Sequence, residues 1–174
     1  EACFETVLRH LFFQYGIRIE DRTSWKEILT VYYEVIHGVR TVYPDAVETL
    51  KTMRDAGMRM GVISNTTNPE FIKDAERHRT GLDQYFEFSL YSSSTPYRKP
   101  HPSIFNAAIA RLQMNAGDIL FVGDNLEMDV AGPQGVGISA AWLNRKGSNL
   151  TDGIVPDYQI SSLSELLQVE PLKV

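Results

Sequence analysis

The chain has almost no cysteine, no long apolar run and no excess of basic residues, and each absence narrows its possible functions. Its 174 residues include a single cysteine, Cys3, so neither an intrachain disulfide nor a cysteine-rich zinc site can form. This predicts a reducing, cytoplasmic location. No apolar run approaches the roughly 18 residues that span a bilayer, and no basic signal-peptide region is recognisable. The net charge of −5 has the wrong sign for a nucleic-acid binder. We therefore expect neither a membrane nor a nucleic-acid partner.

The residues that are present predict one compact domain with a packed core, since 43% of them are hydrophobic. Apolar residues at three- and four-residue steps predict two helices within residues 1–42, the second capped by Thr23 or Ser24. From residue 43 onwards, helices alternate with short apolar strands, which is typical of a parallel sheet covered on both faces. The predicted fold class is α/β, a doubly wound parallel sheet, with a helical cap at residues 1–42 and a core at residues 43–174.

Candidate site residues lie directly after predicted strands, because ligands bind outside the carboxyl ends of parallel strands. Ser64 and Asn65 follow one strand, Lys99 lies in the loop after the next, and Asp124 follows a third, with Asp129 five residues further on. Hydroxyl and backbone N–H groups suit phosphate oxygens, and carboxylates suit a hard cation. Taken singly, each of these residues also fits an ordinary helix cap or a solvated surface position.

Taken in chain order, these segments resemble three motifs of the haloacid dehalogenase superfamily. Ile63-Ser64-Asn65 is similar to its second motif, Arg98-Lys99-Pro100 to its third, and Gly123-Asp124 with Asp129 to the GDxxxxD form of its fourth. The resemblance covers roughly residues 43–168. It implies a magnesium-dependent phosphohydrolase that acts on a small phosphorylated substrate through an aspartyl-phosphate intermediate.

The resemblance also implies a role for each matched residue. Ser64 would hydrogen-bond the transferring phosphoryl group, the backbone N–H of Asn65 would add a contact, and Lys99 would neutralise the charge of that group and of the nucleophile. Asp124 would bind Mg²⁺, and Asp129 would hold Lys99 or a metal-bound water. These roles suit phosphoryl transfer, which depends mainly on positioning and charge neutralisation.

The first motif of the superfamily, Asp-x-Asp-x-[Thr/Val] after an apolar strand, is absent from the sequence. Only Asp21, Asp45 and Asp55 precede the second motif, and none of them follows an apolar strand or has the second aspartate. In the superfamily the nucleophile's strand lies between the strands that lead to the second and fourth motifs. We therefore expect the nucleophile upstream of Glu1, and we expect residues 1–174 alone to be inactive.

Three other functions stay open. A metal-free dehalogenase of the same superfamily is disfavoured because Gly123-Asp124 supplies a magnesium carboxylate that such enzymes do not require. A dinucleotide-binding dehydrogenase is disfavoured because Gly132, Gly135 and Gly137 do not form GxGxxG after a strand. A non-catalytic domain that binds a partner or a phosphorylated ligand stays open because the nucleophile is missing. The sequence assigns neither the phosphate ester nor the oligomeric state.

Overall fold

The structure, a computed structural model, describes residues 4–19, 22–38, 41–150, 153–170 and 172, so Cys3 lies outside the described residues. Two helices come first, α1 (Phe4–Gln14) and α2 (Arg22–His37), as the apolar spacing predicts. The predicted cap at Thr23 or Ser24 is wrong, because α2 begins at Arg22 and includes both residues. Several neighbouring residues can take a cap position, so sequence signals place a helix start only to within one or two residues.

The remaining elements alternate between helix and strand, as predicted, except that the last two strands follow one another directly. They are α3 (Pro44–Asp55), β1 (Gly61–Ser64), α4 (Glu70–Arg79), β2 (Phe88–Tyr91), α5 (Pro102–Leu112), β3 (Leu120–Gly123), α6 (Gly132–Gln134), β4 (Ser139–Leu143) and β5 (Tyr158–Ile160). Short 3₁₀ helices cover Asp83–Tyr85, Ala116–Asp118 and Leu163–Gln168, and a π-helix covers Leu126–Ala131. His101 is the N-cap of α5, since its side chain accepts a hydrogen bond from the N–H of Ser103.

The strands form two parallel sheets. β1 pairs with β2, and β4 lies between β3 and β5 in a three-stranded sheet. All of these pairs are parallel, which confirms the predicted α/β class. Among the described strands, only β4 pairs on both edges, and β1, β2, β3 and β5 each pair on one edge, so the strands form two separate sheets.

Helix α5 joins the two sheets. Ile104 and Phe105 on this helix are almost fully buried, and they belong to a cluster that also contains Leu90 of β2. Phe105 meets Phe121 of β3 edge-to-face, with ring centroids 5.5 Å apart. The same cluster includes Ile63 of β1. One side of both sheets therefore packs against a single apolar helix face.

The strands differ in burial, and β4 is buried more deeply than β1 and β3. The three central residues of β4 are buried, whereas every residue of β3 is half-buried. In β1, Gly61 is exposed and the other three residues are half-buried. Strands inside a doubly wound parallel sheet are normally buried on both faces. Neither β1 nor β3 contains a buried residue, so both are more open than the strands of such a sheet normally are.

Helix α2 packs on α4 through Leu29, Tyr33 and Ile72, which form a separate apolar cluster. The Tyr33 hydroxyl donates a 2.9 Å hydrogen bond to Asn68 Oδ1, in the loop that precedes α4. These contacts place α2 beside the carboxyl end of β1. The boundary between cap and core at residues 42 and 43 stays a prediction. In the described part of the chain, no helix has both the length and the apolar character of a membrane span.

The start of α3 is fixed to the far end of the chain. Asp45 accepts hydrogen bonds from Arg145 Nη2 at 2.8 Å and from the Leu163 N–H at 2.7 Å. The Arg145 guanidinium also lies over the Tyr43 ring, 4.2 Å from its centroid. Burial disfavours the ionised form of Asp45, but the two hydrogen bonds and the Arg145 charge outweigh it and lower the pKa of this carboxyl.

Candidate active site

A buried ion pair lies at the carboxyl ends of the strands. The Lys99 ammonium is 2.6 Å from Asp129 Oδ1, and the two side chains are only 11% and 7% exposed. The other oxygen of Asp129 accepts a hydrogen bond from the Asn125 N–H at 3.1 Å. Position 123 must be glycine here, because a Cβ added to Gly123 would collide with the Asp129 side chain. The turn after β3 is therefore built around this pair.

The Asn65 side chain fixes the backbone at Lys99. Its amide group donates to the Lys99 carbonyl at 2.9 Å, and its carbonyl oxygen accepts the Lys99 N–H at 2.9 Å. The same amide nitrogen lies 3.4 Å from the Met128 sulfur, in the turn after β3. Asn65 therefore connects the end of β1, the loop that carries Lys99 and the turn after β3. The sequence predicts only a backbone contact for Asn65, so this role of its side chain was missed.

Asp124 lies at the end of β3 with an exposed side chain. Its backbone carbonyl accepts a 3.0 Å hydrogen bond from the Trp142 indole on β4, which fixes the strand end but leaves the carboxylate outside this contact. Asp124 adjoins the ion pair through its neighbour Asn125, whose N–H bonds Asp129. The fourth motif thus presents one exposed carboxylate and one that is bound to a cation.

A polar cavity of about 380 Å³ opens at the end of β1. Its lining residues carry hydroxyl, amide or cationic side chains and no carboxylate; they are Ser64, Asn65, Thr66, Thr67, Asn68, Lys73, Ser92 and Arg98. Of the predicted site residues, Ser64 and Asn65 line this cavity, whereas Lys99, Asp124 and Asp129 do not. The structure therefore joins the two groups through Asn65, which lines the cavity and bonds Lys99.

The site offers few carboxylate ligands for magnesium. Among the residues that the structure describes, no three His, Cys, Asp or Glu side chains are grouped as a metal site. Mg²⁺ is often bound by one or two carboxylates and several waters, so the exposed Asp124 carboxylate fits as one ligand. Both oxygens of Asp129 already accept hydrogen bonds. These residues therefore fit part of a magnesium site.

Several cavity residues were missed by sequence reasoning. Ser92 directly follows β2 and holds the loop after β1, accepting from the Thr66 N–H at 2.9 Å and donating to its carbonyl at 3.1 Å. The strand-end rule applied to β2 would have found it. Lys73 gave no sequence signal, since it reaches the cavity from α4. Asn68 is likewise visible only through the fold.

The α/β fold thus carries at its strand ends a serine, a lysine paired with an aspartate, and an exposed aspartate. The family described as haloacid dehalogenase-like hydrolase matches residues 12–137. The chain belongs to this family, which confirms the resemblance that its motifs indicate. The matched span includes Ser64, Lys99, Asp124 and Asp129.

The chain is similar to curated relatives of differing activity. It is 30% identical to the pyrimidine 5'-nucleotidase YjjG of Escherichia coli strain K12 over 84% of this chain and 68% of that protein. It is 32% identical to (S)-2-haloacid dehalogenase 4A of Burkholderia cepacia over 85% and 62%. It is 36% identical to a ribulose-1,5-bisphosphate 5-phosphatase of Halopiger xanaduensis over 78% and 59%. The chain thus spans about three fifths to two thirds of these relatives.

A solved structure supports the same fold. The chain superposes on a HAD phosphatase from Thermococcus onnurineus with a TM-score of 0.71 at 31% identity. The match covers 92% of this chain and 68% of that one. The fold of the described elements is therefore that of haloacid dehalogenase-like proteins, and phosphatases are prominent among the relatives.

Proposed function

We propose that the complete protein is a magnesium-dependent phosphohydrolase that acts on a small phosphate ester through an aspartyl-phosphate intermediate. The observation that carries this proposal is the buried Lys99–Asp129 pair, whose loop Asn65 fixes at the carboxyl end of β1. A fixed ammonium group beside strand-end hydroxyls suits a transferring phosphoryl group, whose negative charge grows or shifts during transfer. Phosphatase relatives support the same substrate class.

The phosphoryl group would lie at the β1 end of the site. The Ser64 hydroxyl and the Asn65 N–H would donate hydrogen bonds to its oxygens, since both residues line the cavity. Lys99 would neutralise charge on the phosphoryl group and the nucleophile. Asp129 would orient the Lys99 ammonium group, because it accepts a hydrogen bond from this group at 2.6 Å.

Magnesium would be held by Asp124, with Asp129 in a supporting role through Lys99 or a bound water. When present, the ion would supply a positive charge that offsets the charge of the phosphoryl oxygens. Asp124 is placed for this because its carboxylate is exposed at the strand end, while its backbone is fixed by Trp142.

The nucleophile would come from a strand between β1 and β3, encoded upstream of Glu1. The support is that β1 and β3 each have an unpaired edge within the described strands, as a strand between them requires, and that neither contains a buried residue. An aspartate at the end of that strand would attack phosphorus while the ester oxygen leaves and takes a proton from a second aspartate. Water would then attack the aspartyl-phosphate, restoring the carboxylate and releasing phosphate.

The experiment is a p-nitrophenyl phosphate assay with and without Mg²⁺ on two forms, residues 1–174 and the complete protein. The proposal predicts magnesium-dependent turnover by the complete protein and none by residues 1–174. The shorter form lacks the carboxylate nucleophile, and its loss removes orders of magnitude of rate. Equal turnover by both forms would show that the nucleophile lies within residues 1–174, and no turnover by either would reject the phosphohydrolase.

A dehalogenase is the second candidate, because a (S)-2-haloacid dehalogenase is among the relatives at 32% identity. The exposed Asp124 carboxylate favours the phosphohydrolase. Halide release from a 2-haloacid without added metal, in the absence of phosphatase activity, would favour the dehalogenase instead. A complete protein that binds phosphate esters but turns over neither substrate would be the non-catalytic binding domain. The single cysteine supports a reducing, cytoplasmic compartment for any of these functions.

A further inference from the structure

We propose that the cavity at the end of β1 contains a subsite for a second anionic group, so that the preferred substrate carries a carboxylate or a second phosphate besides the group that is transferred. This inference rests on the proposed function for the first phosphate. It assigns Lys73 and Arg98 to the second anion, and neither residue belongs to the catalytic set described above.

The cavity is larger than a single phosphate group requires. A volume of about 380 Å³ corresponds to about twelve water molecules at their volume in the liquid. The oxygens of one phosphate group would replace about four of these waters. The cavity is therefore larger than one phosphate group and has room for a second polar group.

The cavity lining is polar and carries positive charge. Two of the lining side chains, Lys73 and Arg98, are cationic, and the other six are hydroxyl or amide groups. A nucleobase or an acyl chain would be expected to meet apolar or aromatic side chains, which are the usual lining of small-molecule pockets. This lining instead suits a small, highly polar ligand. Its two charged side chains are both cationic, although Lys73 also pairs with Glu76, so the lining favours an anionic ligand over a cationic one.

The Lys73 ammonium group is held in place at the cavity wall. Its side chain is 20% exposed, and Glu76, one turn along α4, holds it in an ion pair at 2.5 Å. An ammonium group has three N–H donors, and this contact uses one of them. The pair thus fixes a partly buried cation at the cavity wall with donor capacity for a ligand. Lys99 has a different task, because it is bound to Asp129 outside the cavity lining.

The test measures binding of phosphonates, which are not hydrolysed, to the complete protein by calorimetry. Propylphosphonate carries one anionic group, 3-phosphonopropanoate adds a carboxylate, and 1,3-propanediphosphonate adds a second phosphonate. We expect at least one of the two compounds with a second anionic group to bind roughly tenfold or more tightly than propylphosphonate. One or two added charge-assisted hydrogen bonds predict a gain of this size. The better of the two probes identifies the second group as a carboxylate or a phosphate.

Two variants and a control locate the effect. Lys73→Met and Arg98→Met should each reduce the preference for the second anionic group several-fold or more, measured as the affinity ratio to propylphosphonate. Lys51→Met is the control, because Lys51 is an exposed lysine on α3 that pairs with Asp55, and it should leave the ratio unchanged. Circular dichroism and thermal unfolding of each variant show whether the ratio is measured on folded protein.

The outcomes separate this proposal from the proposed function. Equal binding of all three phosphonates by the wild-type protein, or a preference that survives both cavity substitutions, would overturn the subsite. Binding does not require turnover, so the subsite is tested even if the complete protein fails to hydrolyse p-nitrophenyl phosphate. That failure would instead reject the phosphohydrolase.

Discussion

The two parallel sheets contribute opposite chemistry to the same edge of the molecule. The sheet of β1 and β2 ends in hydroxyl and amide groups, at Ser64, Asn65 and Ser92, and the β3 strand of the other sheet is followed by the carboxylates Asp124 and Asp129. Lys99 follows β2 in the chain but pairs with Asp129 after β3. Neither sheet holds the candidate site alone, and the lysine connects one side to the other.

Two kinds of contact hold the two sheets together. At the strand ends the connection is polar, through Lys99, Asp129 and Asn65. Beneath them it is apolar, through Phe105 and its neighbours on α5. A substitution in the polar or the apolar contact should therefore lower the free energy of unfolding much more than a similar substitution at the surface of one sheet.

The largest effect is expected for Lys99→Met. It leaves the Asp129 charge buried without its cation, which should lower the free energy of unfolding by about 3–5 kcal/mol. In the complete protein, turnover should also fall by roughly 10²–10³-fold, because a charge-stabilising group is lost. Urea denaturation and p-nitrophenyl phosphate kinetics measure the two effects.

The double variant Lys99→Met/Asp129→Asn separates stability from activity. It should regain part of the lost stability, because the buried charge is gone, and none of the lost turnover. Lys51→Met serves as the surface control and should change stability by no more than about 0.5 kcal/mol. A Lys99→Met protein as stable as this control would show that the pair does not hold the two sides together.

Phe105→Ala tests the apolar connection. Phe105 is fully buried beneath the sheets and packs against Phe121, so its truncation should lower the free energy of unfolding by about 3–5 kcal/mol. Phe13→Ala is the matched control, because Phe13 on α1 is 66% exposed. This substitution should change the free energy of unfolding by no more than about 0.5 kcal/mol. Similar losses in both variants would contradict the central position of α5.

Asp45→Asn should have a smaller effect that depends on pH. Asp45 is held by Arg145 and the Leu163 N–H, and its lost charge should cost about 1–3 kcal/mol at pH 7. Because the folded-state pKa of Asp45 is lowered, its stabilisation is present above the unfolded pKa of about 3.9. It is lost as pH falls through the lower folded pKa. Denaturation at pH 7 and pH 3 should therefore show a difference between variant and wild type that shrinks at the lower pH, and a constant difference would contradict the assignment.

The sequence predicts the individual elements of this fold well and their assembly less well. Apolar spacing identifies the five described strands, and strand-end logic identifies the site residues that follow β1 and β3, because these signals are local. The separation of the strands into two sheets has no signal within the strands themselves, since each strand looks the same in sequence whether one or both of its edges are paired. Only the missing first motif, whose strand lies between those of the second and fourth motifs in the superfamily, indicates it. The contact between Asp45 and Arg145 joins residues 100 positions apart and is equally invisible.

The candidate site shows the same limit. Motif order predicts Ser64, Lys99, Asp124 and Asp129, because these residue types carry the chemistry themselves. It does not predict that the Asn65 side chain holds the Lys99 backbone, nor that Lys73 reaches the cavity from α4. Those functions depend on where the helix and loop lie in space. The cation Lys73 has the same sequence signature as any lysine on a solvated helix face.

The central claim, that Asp124 holds magnesium for a phosphohydrolase, is tested most directly by the magnesium dependence of Asp124→Asn in the complete protein. Asp118→Asn is the control, because Asp118 lies at the opposite end of β3, where it accepts a hydrogen bond from Asn115. The account predicts that Asp124→Asn abolishes turnover or raises the half-saturating Mg²⁺ concentration at least about tenfold, as the loss of a charged ligand implies, while Asp118→Asn matches wild type. Unchanged turnover and an unchanged magnesium titration in Asp124→Asn would contradict it.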